Sequence, residues 1–449
     1  MQDDTIARLS KPVPRYTSYP TAPHFSEAVT AETYAGWLGS LGEGQALSLY
    51  AHIPYCDRLC WFCACHTKQT LRYAPVERYL AGLRKEIDLV GRHVDRCATV
   101  TALHLGGGSP TLLHPGDLRA LKAAFESAFA FAADAGVSVE MDPNDLDAEK
   151  HDALAEIGLT RASLGIQDFD PAVQKAINRH QTFEQTRCVV EACRARGVRS
   201  VNCDVLYGLP HQSEASLRET LSAVLSMRPE RIALFGYAHV PWRKKHQTMI
   251  DEKALPSAVE RYRQMLAASA MLVAAGYVAI GIDHFALPGD TLALAASKGT
   301  LRRNFQGYTD DAADALLGFG ASAIGQLPEG YVQNMPATGA YLQRVGEGEL
   351  PVVRGYALTP NDACRAFVIE RLMCDFALDL ADVEARFPSE LPAIRADLLA
   401  FLAADRDGLA SFDGRRLRLT GEGRIFARVV AAAFDAHLAS GAARHSVAV

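Results

Sequence analysis

The sequence lacks both an apolar N-terminal run and an excess of positive charge. Its first residues, MQDDTIARLSKPVPR, begin with acids, so we expect no secretory signal. The 449 residues hold 46 Lys and Arg against 52 Asp and Glu, so no global basic field attracts nucleic acid or an anionic membrane. One window, 265–282, resembles a membrane span, but Gly276 divides it into a helix end and a short strand. We therefore predict a cytoplasmic protein that binds neither nucleic acid nor membrane.

The ten cysteines do not form the disulfide framework of a small secreted protein. Six are scattered among apolar or helical residues, where a free cysteine usually packs in the core: Cys97, Cys188, Cys193, Cys203, Cys364 and Cys374. The other four, Cys56, Cys60, Cys63 and Cys65, are crowded into the segment HIPYCDRLCWFCACH. This crowding indicates a specific chemical role.

The spacing of these cysteines favours an iron–sulfur cluster. Structural zinc usually binds two ligand pairs that are a dozen or more residues apart. Here C-x3-C-x2-C places Cys56, Cys60 and Cys63 on one short loop, and iron–sulfur clusters are held by thiolates at such spacings. Three thiolates leave one iron of a four-iron cluster open to another ligand. A zinc site and simple buried thiols remain the alternatives.

Strand-like and helix-like runs alternate between about residues 46 and 285, which predicts a mostly parallel sheet with right-handed crossovers. The predicted strands are 46–53, 99–105, 137–141, 161–166, 200–206, 231–237 and 277–282. The predicted amphipathic helices are 76–94, 117–135, 183–195, 214–227 and 257–275.

Polar or small residues stand at the end of successive predicted strands. They are the cysteine loop, the GGGS run at 106–109, Glu140, Gln167, Asp204 and Ala238. In a barrel of parallel strands the carboxyl ends open onto one face, where active sites are built. The sequence therefore predicts an α/β fold with a full or partial TIM-type barrel.

Both ends of the chain differ from this barrel pattern. Residues 11–27 are rich in Pro, Tyr and Thr, which predicts an extended segment. After about residue 361, helical runs at 361–376, 380–387 and 392–403 precede the hairpin-like SFDGRRLRLT and a last helix at 421–437. This pattern resembles a winged-helix module without a basic recognition face. We predict an extended N-terminal arm over 1–34, a catalytic barrel with an extension over 35–355, and a mostly helical C-terminal domain over 356–449.

The cysteine motif after the first strand resembles the radical S-adenosylmethionine (SAM) superfamily. Seven motifs in order narrow the resemblance to the oxygen-independent coproporphyrinogen III oxidase family. They are RYTSYPT (15–21), CWFCAC (60–65), LHLGGGSPT (103–111), LGIQDF (164–169), DVLYGLP (204–210), GIDHFA (281–286) and RNFQGYT (303–309). The resemblance implies a partial TIM-type (β/α)6 radical SAM barrel. Trp61 and Ser109 are mild departures, since tyrosine and threonine are common there.

The resemblance also implies which residues bind the cofactors. Cys56, Cys60 and Cys63 match the three ligands of one [4Fe-4S] cluster. The residues that match contacts to SAM on the open iron are Tyr50, Phe62, Gly107, Glu140 and Ile324. The family resembles a two-SAM system, and the residues that match contacts of a second SAM are Gly108, Ser109, Gln167, Arg179, Asp204 and Ala238.

Cys65 is the fourth cysteine of the motif. In the family it is required although the cluster uses three thiolates, so we predict a catalytic role for it. The alternatives are a fourth cluster ligand or an idle, packed thiol. Cys65 also separates the chain from haem-chaperone relatives, which typically lack it and carry H-N-x-x-Y-W where this sequence has RNFQGY at 303–308.

The implied reaction converts two propionates of coproporphyrinogen III into the vinyl groups of protoporphyrinogen IX, in haem biosynthesis. In the superfamily, an electron from the reduced cluster cleaves SAM, and the resulting 5′-deoxyadenosyl radical abstracts a hydrogen atom. The resemblance also implies a flavodoxin or ferredoxin system as electron donor, and we expect a monomer. A haem chaperone and a radical SAM methyltransferase are the alternative functions.

A substrate with four carboxylates needs a local cationic patch on a chain of net charge −6. The candidates are Arg15, the basic run 243–245 and the arginine pair 302–303. For the lysines at 244 and 245, a solvated surface position is the alternative.

Overall fold

A twelve-stranded mixed sheet forms the centre of the protein, for which the computed structural model describes residues 1–438. The strands are β1 (Ala46–Ile53), β2 (Tyr55–Cys56), β3 (Lys68–Gln69), β4 (Thr99–Gly107), β5 (Ala130–Met141), β6 (Leu159–Gln167), β7 (Ser200–Tyr207), β8 (Arg231–Gly236), β9 (Val278–Ile280), β10 (His284–Ala286), β11 (Arg302–Asn304), β12 (Gly307–Thr309), β13 (Ala315–Phe319), β14 (Ile324–Leu327), β15 (Gly330–Asn334), β16 (Val352–Ala357), β17 (Ala377–Asp379), β18 (Ala410–Phe412) and β19 (Arg416–Leu419). The order in the large sheet is β16-β15-β14-β13-β1-β4-β5-β6-β7-β8-β10-β9.

The middle of this sheet is parallel and matches the expected (β/α)6 arrangement. Strands β1, β4, β5, β6, β7 and β8 pair in parallel with their neighbours. Strand β13 adds to β1, also in parallel. The outer strands β14 to β16 on one side, and β10 and β9 on the other, are antiparallel. The run predicted as a strand at 277–282 is therefore a short antiparallel edge strand, β9.

Helices pack against the parallel strands and form most of the C-terminal region. They are α1 (Asp3–Leu9), α2 (Ala31–Gly39), α3 (Ala74–Gly91), α4 (Pro115–Ala128), α5 (Ala148–Glu156), α6 (Pro171–Ala176), α7 (Phe183–Ala195), α8 (Glu214–Ser226), α9 (Ala258–Ala274), α10 (Thr291–Lys298), α11 (Thr338–Gly346), α12 (Pro360–Cys374), α13 (Leu380–Arg386), α14 (Leu391–Ala404), α15 (Gly421–Ile425) and α16 (Ala427–Ala431). Helix α3 shows why they form: Val76, Leu80, Leu83, Ile87 and Val90 recur every three or four residues and are buried.

One predicted helix is wrong over its last seven residues, 129–135. The run 117–135 was expected to be one amphipathic helix, and its alanines favour helix locally. The helix α4 ends at Ala128, and Ala130–Met141 forms strand β5. Pairing with β4, which places Ala130 beside Thr99 and Phe131 beside Val100, overrides the local propensity.

The two ends of the chain pack against each other. The N-terminal segment is not extended throughout, because Asp3–Leu9 forms helix α1. Arg428 donates hydrogen bonds to the carbonyl oxygens of Val13 and Pro14, and the Tyr16 hydroxyl donates to Asp435 over 3.0 Å. The C-terminal region thus holds the N-terminal arm in place.

The C-terminal region is mostly helical with a small antiparallel sheet, in the order β17-β19-β18. The last helix, predicted at 421–437, is divided into α15, α16 and a 3-10 turn at Ala432–Phe434. Residues 439–449 of the predicted C-terminal domain lie outside the described residues.

The window at 265–282 is divided as the sequence predicts. Helix α9 ends at Ala274, Gly276 has a φ of +90°, and strand β9 begins at Val278. Within residues 1–438, no helix has both the length and the apolar character needed to cross a membrane.

Candidate active site

A cavity of about 660 Å³, here called cavity A, opens at the carboxyl ends of the parallel strands. Its wall at the strand ends consists of Tyr50, His52, Gly107, Glu140 and Ala238. The remaining walls come from the N-terminal arm (13–18 and 21–23), the cysteine loop (64–66), residues 240, 243 and 244, and residues 305, 306, 316, 322–324, 333 and 336. A cavity of this size is typical of small-molecule sites.

The cysteine loop, residues 56–66, is fixed from two sides. Lys244, His246 and Gln247 donate hydrogen bonds to loop carbonyl oxygens over 2.7–2.9 Å. On the other side, Asn178 donates to a loop carbonyl over 2.9 Å. The short parallel pair β2 and β3 closes the base of the loop. The loop is therefore held in place by side chains that are distant in sequence.

The loop carries three thiols that fit an iron–sulfur cluster. Cys56 Sγ lies 3.1 Å from the Thr67 hydroxyl, and Cys60 Sγ lies 3.7 Å from Arg179 Nη1. Burial raises the pKa of Cys56 to about 12, so metal binding must displace its proton. A donor set of three soft thiols on one loop fits a cluster better than a single tetrahedral zinc ion.

Glycines let the end of β4 approach the end of β1. Gly107 has a φ of +114°, and a Cβ there would lie 2.6 Å from the His52 ring. A Cβ on Gly108 would lie 2.5 Å from the Tyr55 carbonyl oxygen. No larger residue fits this close approach without a shift of the backbone.

Glu140 presents a carboxylate to cavity A. Its Oε2 accepts from the Gly107 backbone N–H over 2.9 Å, and its Oε1 lies 3.2 Å from His104 Nε2. The side chain is 40% exposed, toward the cavity. Desolvation acts to raise the pKa of Glu140, but the hydrogen bonds from His104 and Gly107 outweigh it and hold that pKa below its ordinary value. Glu140 is therefore ionised and can accept a hydrogen bond from an ammonium group.

Tyr50 and His52 form a hydrogen-bonded chain along the same wall. The Tyr50 hydroxyl is 2.9 Å from His52 Nδ1, and His52 Nε2 is 2.8 Å from the His66 carbonyl oxygen. Because a carbonyl only accepts, Nε2 carries the proton and Nδ1 accepts from Tyr50. Burial lowers the pKa of His52 to about 4, so the ring is neutral.

Most of the residues expected around a second SAM lie outside the lining of cavity A. Arg179 donates to Asp142 over 3.1 Å and to Gln181 over 3.0 Å, and its buried Nε has no hydrogen-bond partner. Asp204 accepts from Asn202 over 2.7 Å, and burial raises the pKa of Asp204 to about 6.

Six of the residues predicted from the resemblance line cavity A together: Tyr50, Cys65, Gly107, Glu140, Ala238 and Ile324. The others lie outside its lining: Cys56, Cys60, Cys63, Phe62, Gly108, Ser109, Gln167, Arg179 and Asp204. Phe62 packs instead against an apolar cluster that includes Val173 and Ile177. Gln167 ends β6 with a φ of +69°, a strained conformation for a residue with a side chain.

The cavity also contains residues that the sequence did not single out. His52 belongs to the cysteine motif, and Phe305 and Gln306 belong to the RNFQGYT motif. Their positions in these motifs could have indicated that they lie at the site. Nothing in the sequence marks Gln333. Of the cationic candidates, Arg15, Arg243 and Lys244 line cavity A, whereas Lys245, Arg302 and Arg303 do not.

Comparisons with known proteins agree with this geometry. Residues 50–224 match the model of the Radical SAM superfamily, and residues 358–426 match that of the HemN C-terminal domain. The chain is 48% identical over 437 residues to the oxygen-independent coproporphyrinogen III oxidase of Bradyrhizobium diazoefficiens, with 97% of each chain covered. It is 46% identical over 439 residues to that of Paracoccus denitrificans, covering 97% of this chain and 96% of the other.

The chain belongs to the oxygen-independent coproporphyrinogen III oxidase family. A solved structure of coproporphyrinogen III oxidase from Escherichia coli, described as a radical SAM enzyme, has 36% identity and a TM-score of 0.92. It covers 98% of this chain and 99% of its own. The resemblance read from the sequence motifs and the expected radical SAM α/β fold are thereby confirmed. Membership implies a [4Fe-4S] cluster and SAM.

Proposed function

We propose that this chain is an oxidoreductase that converts coproporphyrinogen III to protoporphyrinogen IX without oxygen, in haem biosynthesis. One observation carries the proposal: the end of the cysteine loop (64–66) and the Gly107–Glu140 pair line one cavity, within a chain of this family. The reaction is oxidative decarboxylation of two propionate side chains. Each propionate loses one hydrogen atom from its β-carbon, one CO2 and one further electron, which passes to a one-electron acceptor.

Cys56, Cys60 and Cys63 are the proposed ligands of one cluster, with the fourth iron left for SAM. The loop bonds from Lys244, His246 and Gln247 fix the three thiols before the cluster assembles. A preformed loop reduces the conformational entropy lost when the thiolates bind iron. When bound, the reduced cluster and SAM supply a carbon-centred radical that removes a hydrogen atom.

Glu140 and Gly107 are proposed to bind the SAM on that iron. The ionised Glu140 accepts a hydrogen bond from the amino group, and the Gly107 backbone gives the methionine part close access. Tyr50 and Ile324 line the same cavity and are proposed to pack against this SAM. The Tyr50–His52 bond keeps the Tyr50 ring in one orientation.

A second SAM is proposed in contact with Gly108, Ser109, Gln167, Arg179, Asp204 and Ala238, of which Ala238 lines cavity A. The unpaired Nε of Arg179 and the left-handed backbone of Gln167 support this. A buried guanidinium donor without an acceptor is costly, and a SAM carboxylate would satisfy it.

The N-terminal arm is proposed to shield the reaction from water. Residues 13–18 and 21–23 form one wall of cavity A, and the C-terminal region holds them there. Excluding water and oxygen protects a primary radical from being quenched. Arg15, Arg243 and Lys244 supply positive charge for the carboxylates of the substrate.

The proposed partners are coproporphyrinogen III and a flavodoxin or ferredoxin system that reduces the cluster, and the proposed state is a monomer. Anaerobic incubation of the reconstituted protein with SAM, reductant and coproporphyrinogen III, followed by mass analysis of the porphyrins, tests the reaction. Products that have lost one and then two CO2 support it. Stable haem binding without decarboxylation, or methyl transfer from labelled SAM, would favour the chaperone or the methyltransferase instead.

A further inference from the structure

A second cavity, here called cavity B, has a volume of about 460 Å³ and shares Arg15 with cavity A. None of the predicted cofactor contacts lines it. Its charged lining consists of Arg15, Arg261, Arg303, Arg424 and Arg428 together with Asp283. Within the described chain, this cavity therefore gathers five guanidinium groups around one carboxylate, in a protein of net charge −6.

The carboxylate of Asp283 does not neutralise this group. Asp283 Oδ1 lies 2.7 Å from His284 Nδ1 and 3.9 Å from Arg303 Nη1. The Arg303 side chain is only 4% exposed, and its Nε and Nη1 have no hydrogen-bond partner. Arg261 donates to the Tyr237 carbonyl over 2.9 Å, but its buried Nε also has no partner. Buried cationic donors without acceptors are costly unless a ligand supplies the missing anion.

The other walls of cavity B are apolar. Phe235, Met265, Ile282 and Phe285 line its interior, and Leu266 and Val273 of α9 stand beside them. Leu266 is 40% exposed and Val273 is 52% exposed, so α9 leaves part of its apolar face uncovered here. The cavity therefore suits a ligand that combines an apolar body with carboxylates.

We propose that cavity B binds propionate carboxylates of a tetrapyrrole, with Arg261 and Arg303 as the principal ion partners. The identity of the tetrapyrrole rests on the proposed function. A guanidinium holds a carboxylate by donating two parallel N–H bonds to its two oxygens. A porphyrin-type propionate can accept both bonds, whereas the adenosine part of SAM carries no carboxylate. Because Arg15 lines both cavities, a macrocycle anchored in cavity B lies beside cavity A, where its reacting propionate is required.

Binding of coproporphyrin III to the anaerobic holoprotein tests this without turnover, by quenching of the porphyrin fluorescence. Coproporphyrin III carries the same four propionates, and its tetramethyl ester has the same body without charge. We expect Arg261→Gln and Arg303→Gln each to weaken coproporphyrin binding at least tenfold. Arg261→Lys, which keeps the charge, is expected to bind better than Arg261→Gln. Binding of the tetramethyl ester is expected to be weak and unaffected by these substitutions.

The matched control is Arg263→Gln. Arg263 lies two residues from Arg261 on α9, but it is 61% exposed and lies 3.4 Å from Asp3. Its loss is expected to change coproporphyrin binding less than twofold. The spectral change of the cluster on SAM addition, retained in every variant, shows that the folded site is intact.

Unchanged coproporphyrin binding in Arg261→Gln and Arg303→Gln would overturn the proposal. So would a loss of binding confined to Arg243→Gln, which would assign the carboxylates to cavity A. Arginine-dependent binding without decarboxylation would contradict the proposed reaction and leave cavity B supported. Normal decarboxylation, together with coproporphyrin binding that does not depend on Arg261 and Arg303, would support the proposed reaction and overturn the proposal for cavity B.

Discussion

Lys244 and Cys65 are 179 positions apart in the chain, yet Lys244 Nζ donates a hydrogen bond to the Cys65 carbonyl oxygen over 2.7 Å. This bond ties the end of the cysteine loop to the segment that follows β8. The Cys65 thiol stands at cavity A, two residues from the proposed ligand Cys63. A thiol in that position lies at the proposed reaction site, and the proposed cluster with its three thiolates does not need it as a ligand.

Cys65→Ser should therefore keep the cluster and lose the reaction. Serine is nearly isosteric with cysteine, so the effect is chemical rather than the cost of a cavity. We expect full iron content, an unchanged spectral response to SAM, and a fall of at least tenfold in protoporphyrinogen formation. Loss of iron in Cys65→Ser would show that Cys65 is a cluster ligand. Normal turnover would show that it has no role in the reaction.

Alanine at Cys56, Cys60 or Cys63 should abolish the cluster. Each substitution removes one of the three proposed thiolate ligands. Cys65, the remaining thiol of the loop, lies outside the C-x3-C-x2-C spacing and is not expected to replace it. We expect iron to fall from about four per chain to near zero after anaerobic reconstitution. Cys97→Ala, at an exposed cysteine away from the loop, is the control and should retain full iron. A ligand variant with full iron and activity would remove that residue from the set.

Glu140→Gln should weaken SAM binding about tenfold, the effect of losing one charge-assisted hydrogen bond of roughly 1.4 kcal/mol. Because its pKa is held below the ordinary value, Glu140 stays ionised well below neutral pH. The wild-type affinity should therefore not fall between pH 8 and pH 6 through this group. Equilibrium binding of labelled SAM to the reconstituted protein measures both effects. Equal affinity in the variant would show that Glu140 makes no such bond.

His52 should titrate near pH 4. Its pKa is lowered from an unfolded value near 6.5, so the folded state favours the neutral ring. The contribution of His52 to the free energy of unfolding is therefore fully present above pH 6.5. It is lost as the pH falls toward 4, by about 3 kcal/mol at most. Histidine-labelled NMR of the cluster-free protein, with His52→Gln to identify the signal, measures it. A midpoint above pH 6 would contradict the buried, neutral ring.

The barrel strands could be predicted because their burial leaves a simple pattern. In β1, Leu47, Leu49, Ala51 and Ile53 are buried, and the observed bounds Ala46–Ile53 are those read from the sequence. The polar residues at the strand ends likewise predicted that the site lies at the carboxyl ends of the strands. Where helix propensity and strand pairing disagree, as over residues 130–135 of β5, the prediction from the sequence is wrong.

Cavity B and the long-range hydrogen bonds that hold the cysteine loop could not be predicted from the sequence. Arg261 and Arg428 come from two helices with ordinary sequences, and only the folded chain brings them to one cavity. Likewise, nothing near Lys244 in the sequence indicates that it binds the Cys65 carbonyl. The N-terminal arm was expected to be extended, whereas Asp3–Leu9 forms helix α1, and Ile6 and Tyr16 are buried in the core. Long-range packing decides all three features.

The fate of the propionate hydrogen tests the central claim most directly. Coproporphyrinogen III deuterated at the propionate β-carbons would be incubated anaerobically with SAM, reductant and the reconstituted protein. We predict 5′-deoxyadenosine that is one mass unit heavier, formed together with the mono- and divinyl products. Unlabelled 5′-deoxyadenosine, or labelled coproporphyrinogen that remains intact while SAM is cleaved, would contradict the proposed decarboxylation.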